Sequence, residues 1–292
     1  MMTNFSLRRF PTPDGLTLIG DVGGRPDAPA VVLLHGGGQT RHSWARAMRG
    51  LIERGYFVVS YDARGHGDSD WSPDGDYSLN ALASDLRAVL STISGPAALV
   101  GASMGGMTSF YAVGSADNRI ADALVMVDIA LRPVPAGVQK IQQFMTGHHD
   151  GFASLAEAAA AVAAYNPDRP RPSGSTGLMK NLRLREDGRL YWHWDPLMMD
   201  QRPQPEPPSA TNELERVSDR VTVPTLLVRG SHSDIVDDAT VAEMRSFVPQ
   251  LDVFEVAGAG HMVAGDRNDA FNEGVLAFLA RHHPGCEEQT CM

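Results

Sequence analysis

Apolar segments of strand length alternate along the chain with segments in which apolar residues recur at helical spacing. The N-terminal part predicts a hairpin, because the sequences FSLRRF and LTLIG flank the turn sequence PTPDG. Wholly apolar segments, typical of strands buried on both faces, follow at 30–34, 57–61, 97–101 and 123–127. Helical spacing is found between them, at 44–54, 79–93 and 104–113. This alternation predicts the α/β class, with a mostly parallel, doubly wound sheet covered by helices on both faces.

The regular alternation is interrupted between residues 130 and 219. This region contains an alanine-rich helical segment at 154–165, two proline-rich segments and the aromatic sequence YWHWDP. The alternation then resumes, with strands at 225–229 and 251–256 and helices at 239–247 and 268–281. We therefore predict three parts, which are a core formed by 1–129 and 220–283, an inserted, mainly helical cap at 130–219, and a flexible tail at 284–292.

The sequence Gly101-Ala102-Ser103-Met104-Gly105 stands between a predicted strand and a predicted helix. In a G-x-S-x-G segment of this kind the chain reverses sharply, which leaves the serine on a strained turn with its hydroxyl exposed. The glycines are needed because a Cβ at either position would crowd the turn. We predict Ser103 as a nucleophile. The alternative is a glycine-rich helix N-terminus that serves close packing alone.

A serine hydroxyl needs a base to act as a nucleophile at neutral pH. His261 follows the predicted strand 251–256 in the glycine-rich sequence GAGHMV. Reactive groups of such sheets collect at the carboxyl ends of the strands, which places this histidine at the same edge as Ser103. We predict His261 as the general base, with a purely structural histidine as the alternative.

The imidazole in turn needs a carboxylate that orients it. Asp234 follows the predicted strand 225–229 through the loop GSHSD, and the order serine, aspartate, histidine suits this type of fold. We therefore predict Asp234 as the acid of the triad. Asp237 and Asp238 are alternatives, although they better suit the N-cap of the helix that follows. Asp128, at the end of an earlier predicted strand, is a third alternative.

A glycine-rich segment, HGGG at 35–38, directly follows the first wholly apolar strand. Glycines let the backbone approach a substrate closely, and backbone N–H groups can hold an oxyanion. We expect the N–H groups of Gly37 and Met104 to form this oxyanion hole, and Gly36 and Trp194 to line the substrate pocket. A phosphate-binding loop is the alternative for HGGG, but neither of its glycine patterns is present. Cap packing is the alternative for Trp194.

Five motifs follow one another in the order HGGG, DARGHGDSD, GASMGG, RGSHSD and GAGHMV. In this order the chain resembles the serine-nucleophile branch of the α/β-hydrolase superfamily, over roughly residues 5–282. It is most similar in character to bacterial carboxylesterases, non-haem peroxidases and C–C bond hydrolases. The resemblance implies structural roles for Arg64 and His66, and some members of the superfamily take their acid from the position of Asp128. Because the nucleophile position holds Ser103 and not aspartate, the dehalogenase and epoxide hydrolase chemistries are not expected.

These residues together predict a serine hydrolase that cleaves a carboxylic ester, or a related acyl bond, through an acyl-enzyme on Ser103. The substrate is expected to be a small acyl compound, and no metal or organic cofactor is required. A perhydrolase or a C–C bond hydrolase with the same triad is the alternative. A non-catalytic hydrolase-fold binding protein is the less favoured one.

The composition limits the partners and the location of the protein. A formal net charge of -10 argues against nucleic acid and against an anionic membrane surface. The N-terminus has no signal-peptide pattern and no apolar segment is long enough to span a bilayer, so we expect a cytoplasmic protein. Cys286 and Cys291 are expected to be reduced thiols. The oligomeric state is left open, with a homodimer as one option.

Overall fold

The computed structural model describes residues 5–165, 176–199, 210–261 and 268–286. Eight of its strands form one sheet in the order β1-β2-β4-β3-β5-β6-β9-β10, and the other two form a separate hairpin. The strands are β1 Ser6–Pro11, β2 Thr17–Gly23, β3 Ala30–Leu34, β4 Phe57–Tyr61, β5 Ala97–Ala102, β6 Ala121–Val127, β7 Leu182–Leu184, β8 Leu190–Trp192, β9 Thr225–Gly230 and β10 Leu251–Val256. β2 is antiparallel to β1 and β4, whereas the pairs from β4 to β10 are parallel. The predicted fold class is confirmed.

Helices cover both faces of the sheet. They are α1 Ala45–Ile52, α2 Leu79–Leu90, α3 Met104–Gly114, α4 Pro135–Thr146, α5 Leu155–Tyr165, α6 Ala210–Val217, α7 Asp238–Phe247 and α8 Asn268–His282. In β3, Val32 and Leu34 join the hydrophobic cluster under α2, α3 and α7, while Val31 and Leu33 join the cluster under α1 and α8. Successive strand residues therefore enter two different cores, which explains why the strand has no polar position.

The region predicted as a cap lies between β6 and β9 and contains α4, α5, the hairpin of β7 and β8, and α6. Its aromatic residues form a third hydrophobic cluster, separate from the two clusters of the core. Trp192 and Trp194 stack in this cluster with ring centroids 4.9 Å apart. The last helix differs, because Leu214 of α6 is fully buried in the core cluster beside α3. Packing thus assigns α6 to the core, although it falls within the predicted cap range.

The cap is joined to the core along the loop that follows β4. The N–H of Asp195 donates to the carbonyl of Gly65 at 2.9 Å, and the N–H of Gly67 donates to Nδ1 of His193 at 2.7 Å. Arg183 donates to the carbonyl of Gly67. The YWHWDP sequence therefore forms the seam between the two parts of the molecule.

The first residues of the predicted tail are held against the core. The N–H of Cys286 donates to the carbonyl of Gly55 at 3.3 Å, and the hydroxyl of Tyr56 donates to the carbonyl of His283 at 2.9 Å. Cys286 is disulfide-bonded, so the expectation of a reduced thiol is wrong there. Residues 287–292 lie outside the described residues. Within the described ranges, no helix has the length and apolar character needed to cross a bilayer.

Candidate active site

Ser103 stands on a strained turn between β5 and α3. Its φ is 46° and its ψ is -114°, a conformation that non-glycine residues rarely adopt. The turn is possible because Gly101 and Gly105 lack side chains. A Cβ at Gly101 would lie 2.3 Å from the carbonyl oxygen of Gly105, and a Cβ at Gly105 would lie 2.5 Å from that of Leu34. The G-x-S-x-G sequence thus has the strand–turn–helix geometry that was predicted for it.

His261 lies beyond the end of β10 and contacts Asp128. Its Nδ1 is 2.9 Å from Oδ2 of Asp128, whose side chain is completely buried. Asp128 directly follows β6 and has a φ of 48°, so it too stands on a left-handed turn at a strand end. Its carboxylate also accepts hydrogen bonds from the N–H of Gly230 at 3.0 Å and from the hydroxyl of Ser233 at 2.7 Å. A buried carboxylate with these partners is held rigidly and can orient the imidazole.

Asp234, the predicted acid, does not contact His261. Its carboxylate instead accepts a hydrogen bond from Nζ of Lys140 on α4 at 2.9 Å, and its side chain is 37% exposed. The local cause is the preceding residue. The hydroxyl of Ser233 points inward, where it donates to Asp128 and accepts the N–H groups of Ile235 and Val236. Asp234 is therefore left on the outer side of the loop. The prediction of Asp234 as the orienting carboxylate is therefore corrected to Asp128.

The other two alternatives have structural roles. Asp237 caps α7 by accepting the N–H of Thr240 at 2.7 Å. The hydrogen bonds from Thr240 lower the pKa of Asp237 below its usual value. Asp238 pairs with Arg229 on the neighbouring strand. Both carboxylates thus bind other residues and do not contact the imidazole of His261.

The HGGG loop follows β3, which is the neighbour of β5 in the sheet. A Cβ at Gly36 would lie 3.4 Å from the Cβ of Ser103, so the loop passes close to the serine. Gly36 and Gly38 use their N–H groups within the protein, donating to Gln39 and to His66. Within the described part of the chain, the N–H groups of Gly37 and Met104 have no such acceptor. These are the two amides expected to form the oxyanion hole.

Three buried histidines, His35 of the HGGG loop itself, His66 and His193, pack together at the base of this loop. Nε2 of His66 accepts the N–H of Gly38 at 3.1 Å, and Nε2 of His35 accepts the N–H of Ala63 at 3.0 Å. The ring of His66 lies between those of His35 and His193, with centroids 4.9 Å and 5.7 Å away. Burial lowers the pKa of all three histidines, that of His193 to about 3. The rings are therefore neutral and able to accept the backbone N–H groups they face.

Ser103, His261 and the two amides open into one cavity beneath the cap. Its volume is about 1740 Å³, and Gly36, Gly37, Ser103, Met104 and His261 line its sheet side. Both predicted pocket residues lie on its wall. The ring of Trp194 also packs on the backbone of the HGGG loop, 3.2 Å from where a Cβ at Gly38 would lie. Trp194 thus both packs within the cap and faces the cavity.

Two residues of this site were missed or ranked too low from the sequence. Asp128 follows its strand directly, as Ser103 does, and this shared position was the signal that could have favoured it. Ser233 carried no signal, because a serine in a loop is common. Across the described ranges, no group of three or more His, Cys, Asp or Glu side chains is arranged to hold a metal ion.

Comparison with known proteins agrees with this architecture. A family model described as alpha/beta hydrolase fold matches residues 29–267. An esterase of Mycobacterium tuberculosis is 28% identical over 86% of this chain and 83% of its own. An sn-1-specific diacylglycerol lipase of Mus musculus is 30% identical over 86% of this chain and 81% of its own.

Solved structures are similar over nearly the whole chain. The crystal structure of E-2-(acetamidomethylene)succinate hydrolase covers 94% of this chain and 99% of its own, with a TM-score of 0.82 and 24% identity. A crystal structure of the Mycobacterium tuberculosis esterase covers 94% of this chain and 91% of its own, with a TM-score of 0.74 and 27% identity. These likenesses extend through the cap as well as the core.

Proposed function

The chain belongs to the α/β-hydrolase family, and we propose that within it this protein is a serine hydrolase that cleaves a carboxylic ester through an acyl-enzyme on Ser103. One observation carries the proposal. His261, which contacts buried Asp128, lies on the wall of the same cavity as Ser103, Gly37 and Met104, and the N–H groups of the last two have no acceptor within the described residues. Relatives named as an esterase and as a lipase support ester cleavage.

The first half of the reaction forms the acyl-enzyme. His261 takes the proton of the Ser103 hydroxyl while the oxygen attacks the ester carbonyl carbon. The carbonyl oxygen becomes an oxyanion, which accepts hydrogen bonds from the N–H groups of Gly37 and Met104. When the intermediate collapses, the bond to the alcohol oxygen breaks and His261 gives its proton to that oxygen. Asp128 stabilises the imidazolium throughout.

The second half releases the acid. A water molecule gives a proton to His261 as its oxygen attacks the acyl carbon. The bond to Ser103 then breaks, and the serine oxygen recovers its proton from the imidazolium. Every step uses groups of this chain, the ester and water.

Labelling with a fluorophosphonate tests the nucleophile directly. The wild-type protein should gain one covalent adduct at Ser103 and hydrolyse p-nitrophenyl butyrate, while a Ser103→Ala variant of unchanged circular dichroism should do neither. A wild-type protein that resists the probe and leaves every ester intact would overturn the proposal. Cleavage confined to a vinylogous diketone would show that the scissile bond is a C–C bond, and formation of a peracid from an acyl donor and hydrogen peroxide would indicate a perhydrolase.

A further inference from the structure

The size of the cavity restricts the substrate. At about 1740 Å³ it exceeds the roughly 300–1,000 Å³ of an ordinary small-molecule site. If each group occupies about 30 Å³, the volume of a water molecule, there is room for on the order of 50 groups. An acetyl or butyryl ester would leave most of this space unfilled.

The cap wall of the cavity is apolar and adaptable. Stacked aromatic rings form part of it, among them Phe144 on Tyr165, with centroids 4.3 Å apart, and Trp192 on Trp194. Several lining residues of α5 are alanines, which leave the cavity wide along that helix. Methionines from α3, α4 and the segment after β8 also line it. Methionine side chains are flexible and adapt to apolar ligands of varied shape.

Among the described residues, the wall of the cavity contains acidic side chains but no ammonium or guanidinium group. Asp74, Asp76 and Glu213 are among its lining residues, whereas none of the described lining residues is a lysine or an arginine. The nearby ammonium of Lys140 is bound to Asp234. A substrate carboxylate or phosphate entering this space would lose water without gaining a cation from the described part of the wall.

The order of the strands indicates on which side of Ser103 the acyl chain lies. β5 carries Ser103 and stands between β3, which leads to the HGGG loop, and β6, which leads to Asp128. The leaving oxygen must lie near His261, which protonates it, so the acyl chain extends away from β6. On that side the sulfur of Met145 lies 3.5 Å from where a Cβ at Gly37 would be, and Trp194 covers the loop.

We infer that the substrate is an uncharged ester with a long apolar acyl chain, of about eight carbons or more, lying between the HGGG loop and the cap wall at Trp194 and Met145. This inference rests on the proposed function and specifies its substrate class. Each buried methylene should raise kcat/KM about fourfold until the chain fills the apolar part of the cavity.

A series of p-nitrophenyl esters from acetate to decanoate, each kept below its micelle concentration, tests the chain length. We expect kcat/KM to rise by at least about 100-fold from acetate to the longer esters. A p-nitrophenyl monoester of a dicarboxylic acid of the same length should be cleaved at least about 10-fold more slowly than its uncharged counterpart.

A variant within the cavity ties the preference to the structure. Ala163→Phe on α5 narrows the cavity and should move the optimum of kcat/KM to shorter chains. Ala280→Phe, at an exposed position of α8, is the matched control and should leave the whole series unchanged.

The outcomes separate the two hypotheses. Acetate cleavage with a flat or falling series, or equal cleavage of the charged ester, would overturn the inference and leave the serine hydrolase intact. If kcat/KM rises along the series but Ala163→Phe does not move the optimum to shorter chains, the acyl chain lies elsewhere in the cavity and the assigned location is wrong. A protein that cleaves no ester and resists the fluorophosphonate would instead remove the proposed function.

Discussion

The sheet wall of the cavity and the cap wall are held together in different ways. On the sheet side, Ser103 and Asp128 directly follow strands and both have a positive φ. Backbone atoms pack closely around them, since a Cβ at Gly101 or Gly105 would meet the backbone and the N–H of Gly230 donates to Asp128. On the cap side, the wall consists of side chains whose cluster is separate from both core clusters. Backbone geometry leaves little room for substitution, whereas side chains in a wide cavity can be exchanged. We therefore expect sheet-side changes to alter the rate on every substrate and cap-side changes to alter which substrate is used.

The largest effect is expected for the carboxylate that contacts the imidazole. Asp128→Asn keeps the shape of the side chain but removes the charge that stabilises imidazolium, and kcat should fall about 10⁴-fold, as expected for a triad aspartate. Asp234→Asn, its matched control, should change kcat less than about threefold, because that carboxylate binds Lys140. Hydrolysis of p-nitrophenyl butyrate measures both. A strong loss in Asp234→Asn with a mild one in Asp128→Asn would restore the acid predicted from the sequence.

A smaller effect is expected where the core supports the HGGG loop. His66→Leu leaves the N–H of Gly38 without its acceptor, which should loosen the adjacent Gly37 and lower kcat about 10-fold or more with little change in KM. His66→Gln offers a carbonyl oxygen near the position of Nε2 and should recover most of the loss. If both variants fold and have equal activity, the hydrogen bond does not position the loop.

The buried histidines also predict how stability depends on pH. Burial lowers the pKa of His35, His66 and His193, so the folded protein keeps them neutral while the unfolded chain protonates them below about pH 6.5. The free energy of unfolding should therefore fall as the pH is lowered from about 7 to 5.5, and His193, whose pKa is about 3 in the folded protein, should contribute about 1 kcal/mol of this loss. Urea unfolding at the two pH values measures this loss.

The variant His193→Asn sharpens the test. Its side-chain oxygen can still accept the N–H of Gly67, but the residue does not titrate. The variant should lose about 1 kcal/mol less than the wild type over the same pH interval. An identical pH dependence would mean that His193 does not contribute to the acid sensitivity.

The smallest effect is expected for the ion pair between the cap and the loop after β9. Lys140 and Asp234 are both substantially exposed, and such pairs contribute about 0–1 kcal/mol. Lys140→Met should therefore change the free energy of unfolding by less than about 1 kcal/mol and leave acetate hydrolysis within about twofold. A clear loss of activity on short esters would show that the cap and the sheet side are more tightly coupled than their contacts indicate.

Comparison of the two regions also explains which expectations succeeded. The strands and helices of the core were found close to their predicted bounds, because strands buried on both faces and amphipathic helices leave strong local patterns. Within the cap, the helix Leu155–Tyr165 was anticipated, but the hairpin of β7 and β8 was not. Strands of three residues are too short to produce a detectable alternation.

The sequence by itself determined the α/β architecture and the strained position of Ser103, because both depend on neighbouring residues and on glycines that local sterics require. Tertiary structure decided which carboxylate meets His261, since Asp128 and Asp234 both follow strands and differ in the direction that the chain takes afterwards. It also decided the role of YWHWDP, whose histidine and tryptophan reach the loops after β3 and β4 from far along the chain. Contacts between distant segments depend on how loops turn in three dimensions, and no local pattern of residue types records that direction.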